Sequence, residues 1–566
     1  MNNNKLKAHR LWLSAMALIH PLAIHAATVI GPEIPSAGTL IQELRPPQQG
    51  FTLPAATGLV IEPQMDATGP DEPPFLLTAI QITDNKIFPT PVLHALVADA
   101  EGQTVTLKRL SVLVARITDY YHANGYPVAR AIVPAQTVVN GVFKIQVIEG
   151  KYGEIKIDNK SRLGTPVLEA MLAPLKSEPA INQSSLERAM LLLSDLPGVV
   201  PKAVLKPGKA VGTADLDVEI APSPTLRGTA SMDNYGNQYT GRFRAGGNIE
   251  FLNPLRLGDL GNLSLLTSGK GMAYGRMSYE AMLNAKGASA GAAVSALRYA
   301  LGGPLAILGG RGTAIGESVW AKQTLMRSVP TSVYVQLQFD HKTLKDEIDS
   351  IALKSERALT NLSVNVYGVL RDGVLAGAQS IVGMNVEFGR VAFKDAGAGA
   401  IDSSAANTRG TFVKVNLNLT RLQSLSPTQL VYLSLNTQFA NKNLDPSEKM
   451  VLGGPNSVRG YDTGVLSADD GLLATVEFRQ ALGQVLKSQW QAVTFFDAAR
   501  ANINHNPWLS GQTNSVSMNS AGLGLNFASD RALRGRLMLA KRLGAAPDVV
   551  GKPASARLWA ELSIGF

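Results

Sequence analysis

The sequence predicts two small α+β repeats, each with its elements in the order β-α-α-β-β, followed by an all-β transmembrane barrel of about 16 antiparallel strands. Three observations support this fold class. Residues 225–566 consist almost entirely of short segments in which apolar and polar residues alternate, as at 413–420. Residues 75–150 and 151–224 repeat one pattern at a period of about 75 residues. Beyond the amino-terminal segment, no uncharged apolar run reaches the roughly 18 residues that a membrane helix needs, so a membrane form has to be a barrel.

The first 27 residues have the features of a secretory signal peptide. Basic residues near the start are followed by an apolar run at 11–24, and Ala26 or Ala27 offers a small side chain for cleavage. An uncleaved anchor helix is the alternative, but Pro21 breaks the run, which is also short for a bilayer. We therefore expect residues 1–27 to be a signal peptide and the protein to be exported.

A proline-rich segment at 28–74 separates the signal peptide from the first repeat. Within it, residues 37–45 are predicted to form two turns of helix, which Pro46 ends because proline cannot donate the next backbone hydrogen bond. A disordered leader is the other interpretation of this composition.

The two repeats place the same elements in the same order. The longest helix of the first repeat is predicted at 107–124, where apolar residues recur at helical spacing before Gly125. In the second repeat, Ser184 and Glu187 are predicted to form a capping box for a helix at 186–196. The other predicted elements are strands at 75–82, 129–134, 142–149, 152–158, 200–205 and 214–220, and helices near 91–100 and 166–172.

Each repeat is expected to leave one edge of its sheet beside a helix groove. An extended polypeptide adds to such an edge as a further strand through backbone hydrogen bonds, whatever its side chains. This property favours a module that holds an unfolded client. Two structural spacers without a binding role are the alternative.

Residues 225–566 alternate like strands that turn one face to lipid and the other to a lumen. In the last strand, Leu558, Leu562 and Phe566 lie on the apolar face and Arg557 lies on the polar face. At roughly 20 residues for each strand and its connection, the segment accommodates about 16 strands. A soluble two-sheet sandwich also alternates, but it seldom reaches this length as one domain.

A long loop at 451–471 interrupts the alternation between two predicted strands. It contains the tetrad Val458, Arg459, Gly460 and Tyr461, and Arg459 is its one cation. Gly460 is expected to let the backbone turn sharply, and Tyr461 to pack on the barrel wall. Loops of this length are usually functional or disordered. With an aromatic residue, several glycines and a single cation, the loop is expected to have a defined shape, with a solvated surface loop as the alternative.

An aspartate on a neighbouring strand is the natural candidate for an inward-facing charge. On the predicted strand at 489–497, Asp497 shares one face with Phe495, and the opposite face carries apolar side chains such as Phe496. Asp497 is therefore expected to point into the lumen. An aspartate that only ends a strand at the water interface is the alternative.

Composition and motifs argue against several functions. The formal net charge is +9, but lysine and arginine are spread along the chain without a basic run, which argues against nucleic acid and favours a channel lining or acidic lipopolysaccharide. Cysteine is absent, which excludes disulfides and thiolate metal sites.

No phosphate-binding, zinc-protease or nucleophile-elbow motif occurs, and the seven histidines give no metal-ligand pair at helical spacing. The acidic group Asp346, Glu347 and Asp349 lies among lysines and is interpreted as a solvated loop rather than a calcium site. We therefore expect no catalytic residue, no metal and no cofactor, and the protein is not predicted to be an enzyme.

Several of these segments resemble one family. The tetrad VRGY with the polar run that follows it is similar to the sixth-loop motif of the ShlB/FhaC/HecB transporters of two-partner secretion (TpsB), which combine POTRA domains with a barrel. The segments at 125–134 and 142–150 resemble the first POTRA domain of that family, and the segment at 191–199 resembles the second.

The resemblance implies roles for particular residues. The loop residues Val458, Arg459, Gly460 and Tyr461 would anchor the loop in the lumen. Their partner on the barrel wall would be an F-x-D-x-G frame, matched here by Phe495 and Asp497 with Ala499 in place of the usual glycine.

Two further roles follow from the same resemblance. The helix at 37–45 would plug the barrel. Gly125, Tyr126 and Pro127 of the first POTRA domain would contact the substrate.

The function implied is that of a translocator in the outer membrane of a Gram-negative bacterium, with its POTRA domains in the periplasm. Its partners would be a secreted TpsA-type exoprotein with an N-terminal secretion domain, outer-membrane lipid and lipopolysaccharide, and the barrel-assembly machinery that inserts it. Nucleic acid is not an expected partner, and the protein is expected to be a monomer. A barrel-assembly insertase of the same superfamily and a passive porin are the alternatives.

Overall fold

The structure, a computed structural model, describes residues 34–44, 59–61, 74–508, 510–511 and 513–566. The predicted signal peptide at 1–27 and most of the predicted linker at 28–74 lie outside the described residues. Within the described part of the linker, α1 (Ala37–Glu43) forms a short helix and β1 (Leu59–Ile61) a three-residue strand.

The first repeat packs helices on one face of a small sheet. Its elements are β2 (Phe75–Leu76), β3 (Ala79–Thr83), α2 (Thr90–Ala95), β4 (Thr104–Val105), α3 (Leu107–Ala123), β5 (Arg130–Ile132) and β6 (Val142–Ile148). The main sheet has the order β3-β6-β5, with β3 parallel and β5 antiparallel to β6. The Thr106 side chain caps α3, whose buried stripe includes Leu113, Ile117 and Tyr121. Burial and the neighbouring Glu149 carboxylate raise the pKa of Tyr121, whose hydroxyl donates to that carboxylate over 3.0 Å.

The second repeat has the same order of elements, with one strand added. Its elements are β7 (Lys151–Asn159), α4 (Thr165–Lys176), α5 (Gln183–Ser194), β8 (Val200–Pro207) and β9 (Thr213–Ala221). The sheet order is β1-β8-β9-β7, so the linker strand β1 lies at an edge, parallel to β8. The predicted capping box is wrong. Asn182 caps α5 by accepting from the backbone N–H groups of Ser184 and Ser185, and Glu187 accepts from the backbone of Val329 in the barrel instead.

Contacts at the base of the barrel hold the second repeat against it. Arg327, which is only 4% exposed, donates to Asp195 through Nε and Nη2 over 2.8 and 2.6 Å. Asn253, in the barrel turn at residues 253–259, donates to the carbonyl of Pro197. The backbone N–H of Gly164 donates to a carbonyl in the same turn over 3.0 Å. The second repeat is therefore docked on several barrel turns at once.

Residues from Leu226 onward form a closed antiparallel barrel of sixteen strands, which confirms the predicted fold class and excludes the sandwich. The strands are β10 (Leu226–Asp233), β11 (Arg244–Leu252), β12 (Leu260–Thr267), β13 (Met272–Asn284), β14 (Ala288–Ala300), β15 (Gly310–Arg327), β16 (Thr331–Ile348), β17 (Leu353–Asp372), β18 (Ala378–Phe393), β19 (Gly410–Ser426), β20 (Gln429–Ala440), β23 (Asp470–Val485), β24 (Ser488–Asn502), β25 (Ser515–Ser529), β26 (Leu533–Leu543) and β27 (Ala556–Gly565). Strand β17 illustrates the pattern: Leu362 and Val364 are exposed on the outside, and Asn361 and Ser363 are buried on the inside. A helix, α6 (Ala396–Ser404), lies in the connection from β18 to β19.

The barrel closes through its shortest pairing. Strands β10 and β27 pair over five residues, from Thr229 with Gly565 to Asp233 with Glu561. The backbones of Gly228 and the final residue, Phe566, exchange two further hydrogen bonds of 2.9 and 3.0 Å. Strands β16 and β17, in contrast, pair over all 18 residues of β16, so the β10–β27 seam has few hydrogen bonds for a barrel of this size.

The short helix α1 lies inside the barrel against β14, β15 and β16. Its first turn is capped by Ser36, and Ala37 and Leu40 are buried. The Asp346 carboxylate, on the inner face of β16, accepts from the backbone N–H of Ala37 over 2.7 Å and from the Tyr299 hydroxyl over 2.7 Å. Among the residues described, none of the helices has the length and hydropathy needed to cross a bilayer.

This contact corrects the interpretation of the acidic group. Asp346 is not part of a solvated loop, because its side chain is turned inward and forms an ion pair with Arg357 over 3.1 Å. Glu347 and Asp349 do lie at the exposed end of β16, where both pair with Arg311. The alternation of the strand separates the three acids, since Asp346 and Glu347 point to opposite faces.

We expect Arg327→Ala to loosen the second repeat from the barrel. A charged hydrogen-bonding partner is worth about 1.5–3 kcal/mol, and less where, as at Asp195, water reaches the partner. Because the chain lacks cysteine, the substitutions Val211→Cys and Val374→Cys allow one spin label to be placed on the second repeat and one on the barrel. The distance between the two labels reports how firmly the repeat is docked. The distance distribution should broaden in Arg327→Ala and stay narrow in the control Lys160→Ala, which removes an exposed ion pair of the same repeat. Equal widths in both variants would contradict the docking role.

Candidate functional site

The candidate site is the loop between β20 and β23, which folds into the barrel. Within it, β21 (Met450–Leu452) and β22 (Leu466–Ala468) pair as a short hairpin. Most of the predicted loop 451–471 is buried, including all four residues of the tetrad. The alternative of a solvated surface loop is therefore wrong, and the turn that carries Arg459 lies against the inner wall.

Arg459 is held by two carboxylates of the wall. Its Nε and Nη2 donate to the two oxygens of Asp497 over 2.9 and 2.6 Å, and its backbone N–H donates to Asp497 over 3.1 Å. Its Nη1 donates to Glu477 over 2.6 Å. The guanidinium carbon also lies 3.5 Å from the ring centre of Phe495. This is the bidentate geometry in which arginine and carboxylate match best, with the ring covering one face of the cation.

Asp497 is fully buried and has every lone pair in use. Besides Arg459, it accepts from the hydroxyls of Ser520 over 3.0 Å and Thr475 over 3.1 Å. Glu477 is shared between Arg459 and Arg479, whose Nη2 donates to it over 2.7 Å. Two arginines thus face two carboxylates, and the cluster carries no net charge in a place where an unpaired charge is costly.

Gly460 is required for a reason other than the one predicted. Its backbone does not adopt a left-handed conformation, so no sharp turn depends on it. A Cβ atom at this position would lie 2.8 Å from the Cβ of Ser520 and 2.9 Å from the backbone nitrogen of Arg542. Glycine lets the loop approach the wall closely enough for the neighbouring Arg459 to reach its carboxylates. The positive φ angles of the loop occur at Gly453, Gly454 and Gly464 instead.

Val458 and Tyr461 fix the turn by apolar packing. Both side chains are fully buried in a cluster with Leu452, Val516 and residues of β24. Ala499, which stands where the family frame has glycine, is 5% exposed and belongs to the same cluster. Its methyl group therefore contributes to the packing around the loop.

Sequence reasoning missed several members of the site. The Trp559 indole N–H donates to the carbonyl of Arg459 over 2.8 Å, and the ring of Tyr235 packs edge-on against Trp559. Glu477 was also missed, although a signal existed: Glu477 and Arg479 alternate with the exposed Val476 on β23, which marks an inward-facing pair.

A second set of contacts ties the loop across the β10–β27 seam. The Asp462 carboxylate is paired with Arg242, over 2.5 Å, and with Arg557 on β27. Thr463 donates through its hydroxyl to the carbonyl of Tyr235 over 2.8 Å, and its own carbonyl accepts from Asn237 over 3.0 Å. The loop therefore connects β27 to the connection between β10 and β11, on both sides of the shortest pairing in the barrel.

The residues predicted for substrate contact in the first repeat lie apart from the loop, at the junction of the two repeats. Gly125 has a φ of 87° and follows the end of α3, and its carbonyl accepts from Gln183 of the second repeat over 2.9 Å. The ring of Tyr126 packs edge-on against Phe88 at 5.8 Å, and Pro127 is half-buried. These contacts are structural, and substrate binding at 125–127 stays a prediction.

Within the part of the chain that the structure describes, no group of three or more acidic or histidine side chains is placed to hold a metal ion.

Family models match both parts of this architecture. The model for the haemolysin secretion/activation protein ShlB/FhaC/HecB matches residues 212–527, more than half of the chain. The chain belongs to the ShlB/FhaC/HecB family. The model for the ShlB-type POTRA domain matches residues 75–150, the first repeat.

Individual relatives agree with this family. The chain is 29% identical over 478 residues to the heme/hemopexin transporter protein HuxB of Haemophilus influenzae (strain 86-028NP), covering 83% of this chain and 84% of HuxB. It is 24% identical over 443 residues to the outer membrane transporter CdiB of Escherichia coli, covering 75% and 72%. The solved structure of CdiB from Escherichia coli superposes with a TM-score of 0.71 at 20% identity, covering 89% of this chain and 93% of CdiB.

These findings confirm the predicted class and location. As a member of the ShlB/FhaC/HecB family, the protein is an outer-membrane transporter of two-partner secretion, with its POTRA domains in the periplasm. The relatives are transporters, in agreement with the prediction of a non-enzymatic protein.

We expect Arg459→Ala and Arg459→Lys to release the loop and destabilise the barrel. Removing one partner of a buried ion pair costs about 3–5 kcal/mol, and lysine restores the charge without the planar fork. The midpoint of thermal loss of β-sheet circular dichroism in detergent should fall in both variants, most in Arg459→Ala.

Arg311→Ala is the matched control, because it removes an ion pair of the barrel in which the arginine side chain is 51% exposed. Its midpoint should stay close to that of the wild type. A midpoint for Arg459→Ala equal to that of this control would show that the loop contacts do not stabilise the barrel.

Proposed function

We propose that the protein captures an unfolded exoprotein through its POTRA domains and exports it through the barrel. The observation that carries this proposal is the joining of tandem POTRA domains to a closed barrel whose lumen contains α1 and an inward-folded loop. A barrel whose lumen is filled at rest suits a transporter that opens its pore for one client. The exoprotein would be of the TpsA type, with an N-terminal secretion domain, as the resemblance implies.

The Arg459–Asp497 contact would keep the loop in a transport-competent position. A loop that moved freely in the lumen would leave the pore without a defined path. Arg459 fixes the turn of the loop to β24, and Asp462 fixes its flank to the β10–β27 seam. The remainder of the lumen is left to α1. Export then requires α1 to leave, while the loop keeps one face of the path in place.

The helix α1 would act as the plug. Its contacts with the wall are both apolar and polar: Ala37 and Leu40 belong to an apolar cluster with residues of the wall, and Asp346 receives the Ala37 N–H. On the other side, Gly38 lies against the backbone of Ser447, on the loop. The hydrogen bond to the Asp346 carboxylate contributes about 1.5–3 kcal/mol, and water or an entering client can take its place. A helix of seven residues with these contacts would stay in the lumen at rest and leave without unfolding the barrel.

The outer surface of the barrel indicates the remaining partners. The exposed apolar side chains along the outer face, such as Leu433, Leu435 and Phe439, would contact membrane lipid, and the basic surplus would favour lipopolysaccharide. The barrel-assembly machinery would insert the chain through its last strand, β27, which is followed by Phe566. We propose that the protein works as a monomer, because the barrel of one chain is closed.

We expect deletion of 75–150 to abolish secretion of a TpsA-type exoprotein that the wild type exports, because the first POTRA domain would no longer capture it. The measurement is the amount of that exoprotein in the medium when both are co-expressed, at equal barrel abundance. Two alternatives give other results: an insertase would lose other outer-membrane barrels, and a passive porin would conduct as before without a secretion defect. Either result would overturn the proposal.

We expect Gly38→Val to raise the conductance of the barrel in planar lipid bilayers. A Cβ at Gly38 would lie 2.8 Å from the Ser447 backbone nitrogen, so α1 can no longer seat against the loop. Gln42→Val places the same side chain at a half-buried position of the same helix and should conduct like the wild type. Equal conductance of the wild type and Gly38→Val would contradict the plug role of α1.

A further inference from the structure

A row of five side-chain amides crosses the inner wall of the barrel. Strand pairing places these residues side by side, one on each of the five strands from β16 to β20. Each lies next to an exposed apolar residue of the outer face, so the amide itself faces the lumen. The members of this carboxamide row are Gln336, Asn365, Asn385, Asn416 and Gln438.

Neighbouring members of the row are hydrogen-bonded to one another. Asn385 donates through Nδ2 to Oδ1 of Asn365 over 2.7 Å, and Asn416 donates through Nδ2 to Oδ1 of Asn385 over 3.1 Å. A carboxamide has two N–H groups and an oxygen with two lone pairs, so Asn385 retains one of each for a further partner. At about 4.8 Å between strands, the row extends about 19 Å along the wall, the length of about six extended residues.

One end of the row binds an extended backbone in the resting state. Gln438 donates through Nε2 to the carbonyls of Asp469 and Ala468 over 3.0 and 3.4 Å. Ala468 belongs to β22, the second strand of the hairpin in the inward-folded loop. Both acceptors are main-chain atoms, and recognition of main-chain atoms does not depend on the side chains of the bound segment.

An uncharged surface leads from the docked second POTRA domain to the row. Towards the periplasm, the next inward-facing residues of β17, β18 and β19 carry no charge. They are Tyr367 and Val369 on β17, Gly383 and Ile381 on β18, and Asn418 and Thr420 on β19. On β16, the ring of Tyr334 stacks on that of Tyr367 at 5.1 Å, and Ser332 accepts from Arg327, which holds the POTRA domain.

The opposite wall of the lumen carries fixed charges. Strands β10 and β11 lie eight strands away from β18 and β19 in the barrel of sixteen. There, Arg227 pairs with Glu250 over 2.7 Å, and Arg244 pairs with Asp233 over 2.8 Å. Hydrogen bonds to charged groups are about twice as strong as neutral ones, and charges also attract or repel a client according to its sequence. Neutral amides bind every peptide group alike and more weakly, which allows a chain to move along them.

Resting on the proposed function, we propose that the carboxamide row is a binding track for the backbone of an extended exoprotein segment in transit through the lumen. The row binds peptide groups and not side chains, so successive parts of one client use it in turn. At rest, β22 of the loop occupies one end of the row at Gln438. A client in transit takes the other positions, on the wall opposite the ion pairs of β10 and β11.

The first test locates the client by disulfide formation. Because the chain has no cysteine, Asn416→Cys places one thiol in the row, and Asn248→Cys places one at a half-buried asparagine of the opposite wall. The client is a TpsA-type exoprotein that the wild type exports, with one cysteine and a folded carboxy-terminal fusion that stalls it in transit. The adduct with Asn416→Cys should exceed that with Asn248→Cys at least about tenfold, because a bound segment raises the local concentration of its thiol. Moving the client cysteine within the stalled segment should leave this ratio unchanged.

The outcomes separate the track from the proposed function. Equal adducts with Asn416→Cys and Asn248→Cys, or a ratio that follows the client sequence, would overturn the track and leave passage through the barrel intact. No adduct with either variant would overturn passage through the lumen and with it the proposed function. Leu417→Cys, on the outer face of the same strand, gives the background level.

The second test removes hydrogen-bonding groups from the row and keeps its shape. Asn385→Leu with Asn416→Leu replaces two amides by apolar groups of similar size. Export at equal barrel abundance should be at least about fivefold slower, because two neutral hydrogen bonds to the client are lost. The matched control Asn248→Leu with Asn262→Leu makes the same change on the opposite wall and should export like the wild type.

The thermal midpoint of both double variants separates a track from a support of the barrel wall. The track requires slower export by the row variant at a midpoint no lower than that of the control. Equal export by the two variants would overturn the track. Slower export with a midpoint below that of the control would assign the row to barrel stability, which would also overturn it.

Discussion

The guanidinium of Arg459 is the contact on which the arrangement of the lumen depends. A buried cation has to be met by carboxylates, and Asp497 and Glu477 supply them from adjacent strands of the wall. The position of the loop follows, because Gly460 must then lie against β25 and β26. With the loop fixed, Asp462 reaches Arg557 and ties the seam, and Ser447 forms one side of the seat of α1.

Charge pairs, together with apolar packing, hold the movable parts of the lumen. Arg357 lies between Asp346, which caps α1, and Asp445, which precedes the hairpin of the loop, at 3.1 and 2.6 Å. Glu448 of the loop is paired with Lys342 and Lys414 on the wall, at 2.6 Å each. Polar contacts of this kind can be exchanged for water when a helix leaves, whereas the apolar cluster around Leu40 would become exposed when α1 leaves. The polar contacts therefore lower the cost of releasing α1, and the apolar cluster favours its resting position.

Much of this architecture could be predicted because alternation along a strand is a local property. The inward direction of Asp497 follows from the side chains beside it, and the helix at 37–45 follows from the residues between two prolines. Asp346 was misread because nearby charges in sequence resemble a solvated loop unless the strand is known to continue through them. The cap of α5 was misassigned because Asn182 and Ser184 are both good caps, and only the backbone decides between them. Strand β1 has three residues among prolines, and its partner lies far along the chain, so no local pattern marks it.

The order of these partners along the chain has a consequence for biogenesis. Arg459 is met by Asp497 on β24, Ser520 on β25 lies beside its turn, and Trp559 on β27 holds its carbonyl. All of them follow the loop in the sequence, and Trp559 belongs to the strand that closes the barrel. A nascent cylinder that still lacks this strand can hold the loop through β23 and β24, but it lacks the contacts that Trp559 and Arg557 supply. The loop therefore acquires its last contacts in the step that seals the membrane wall.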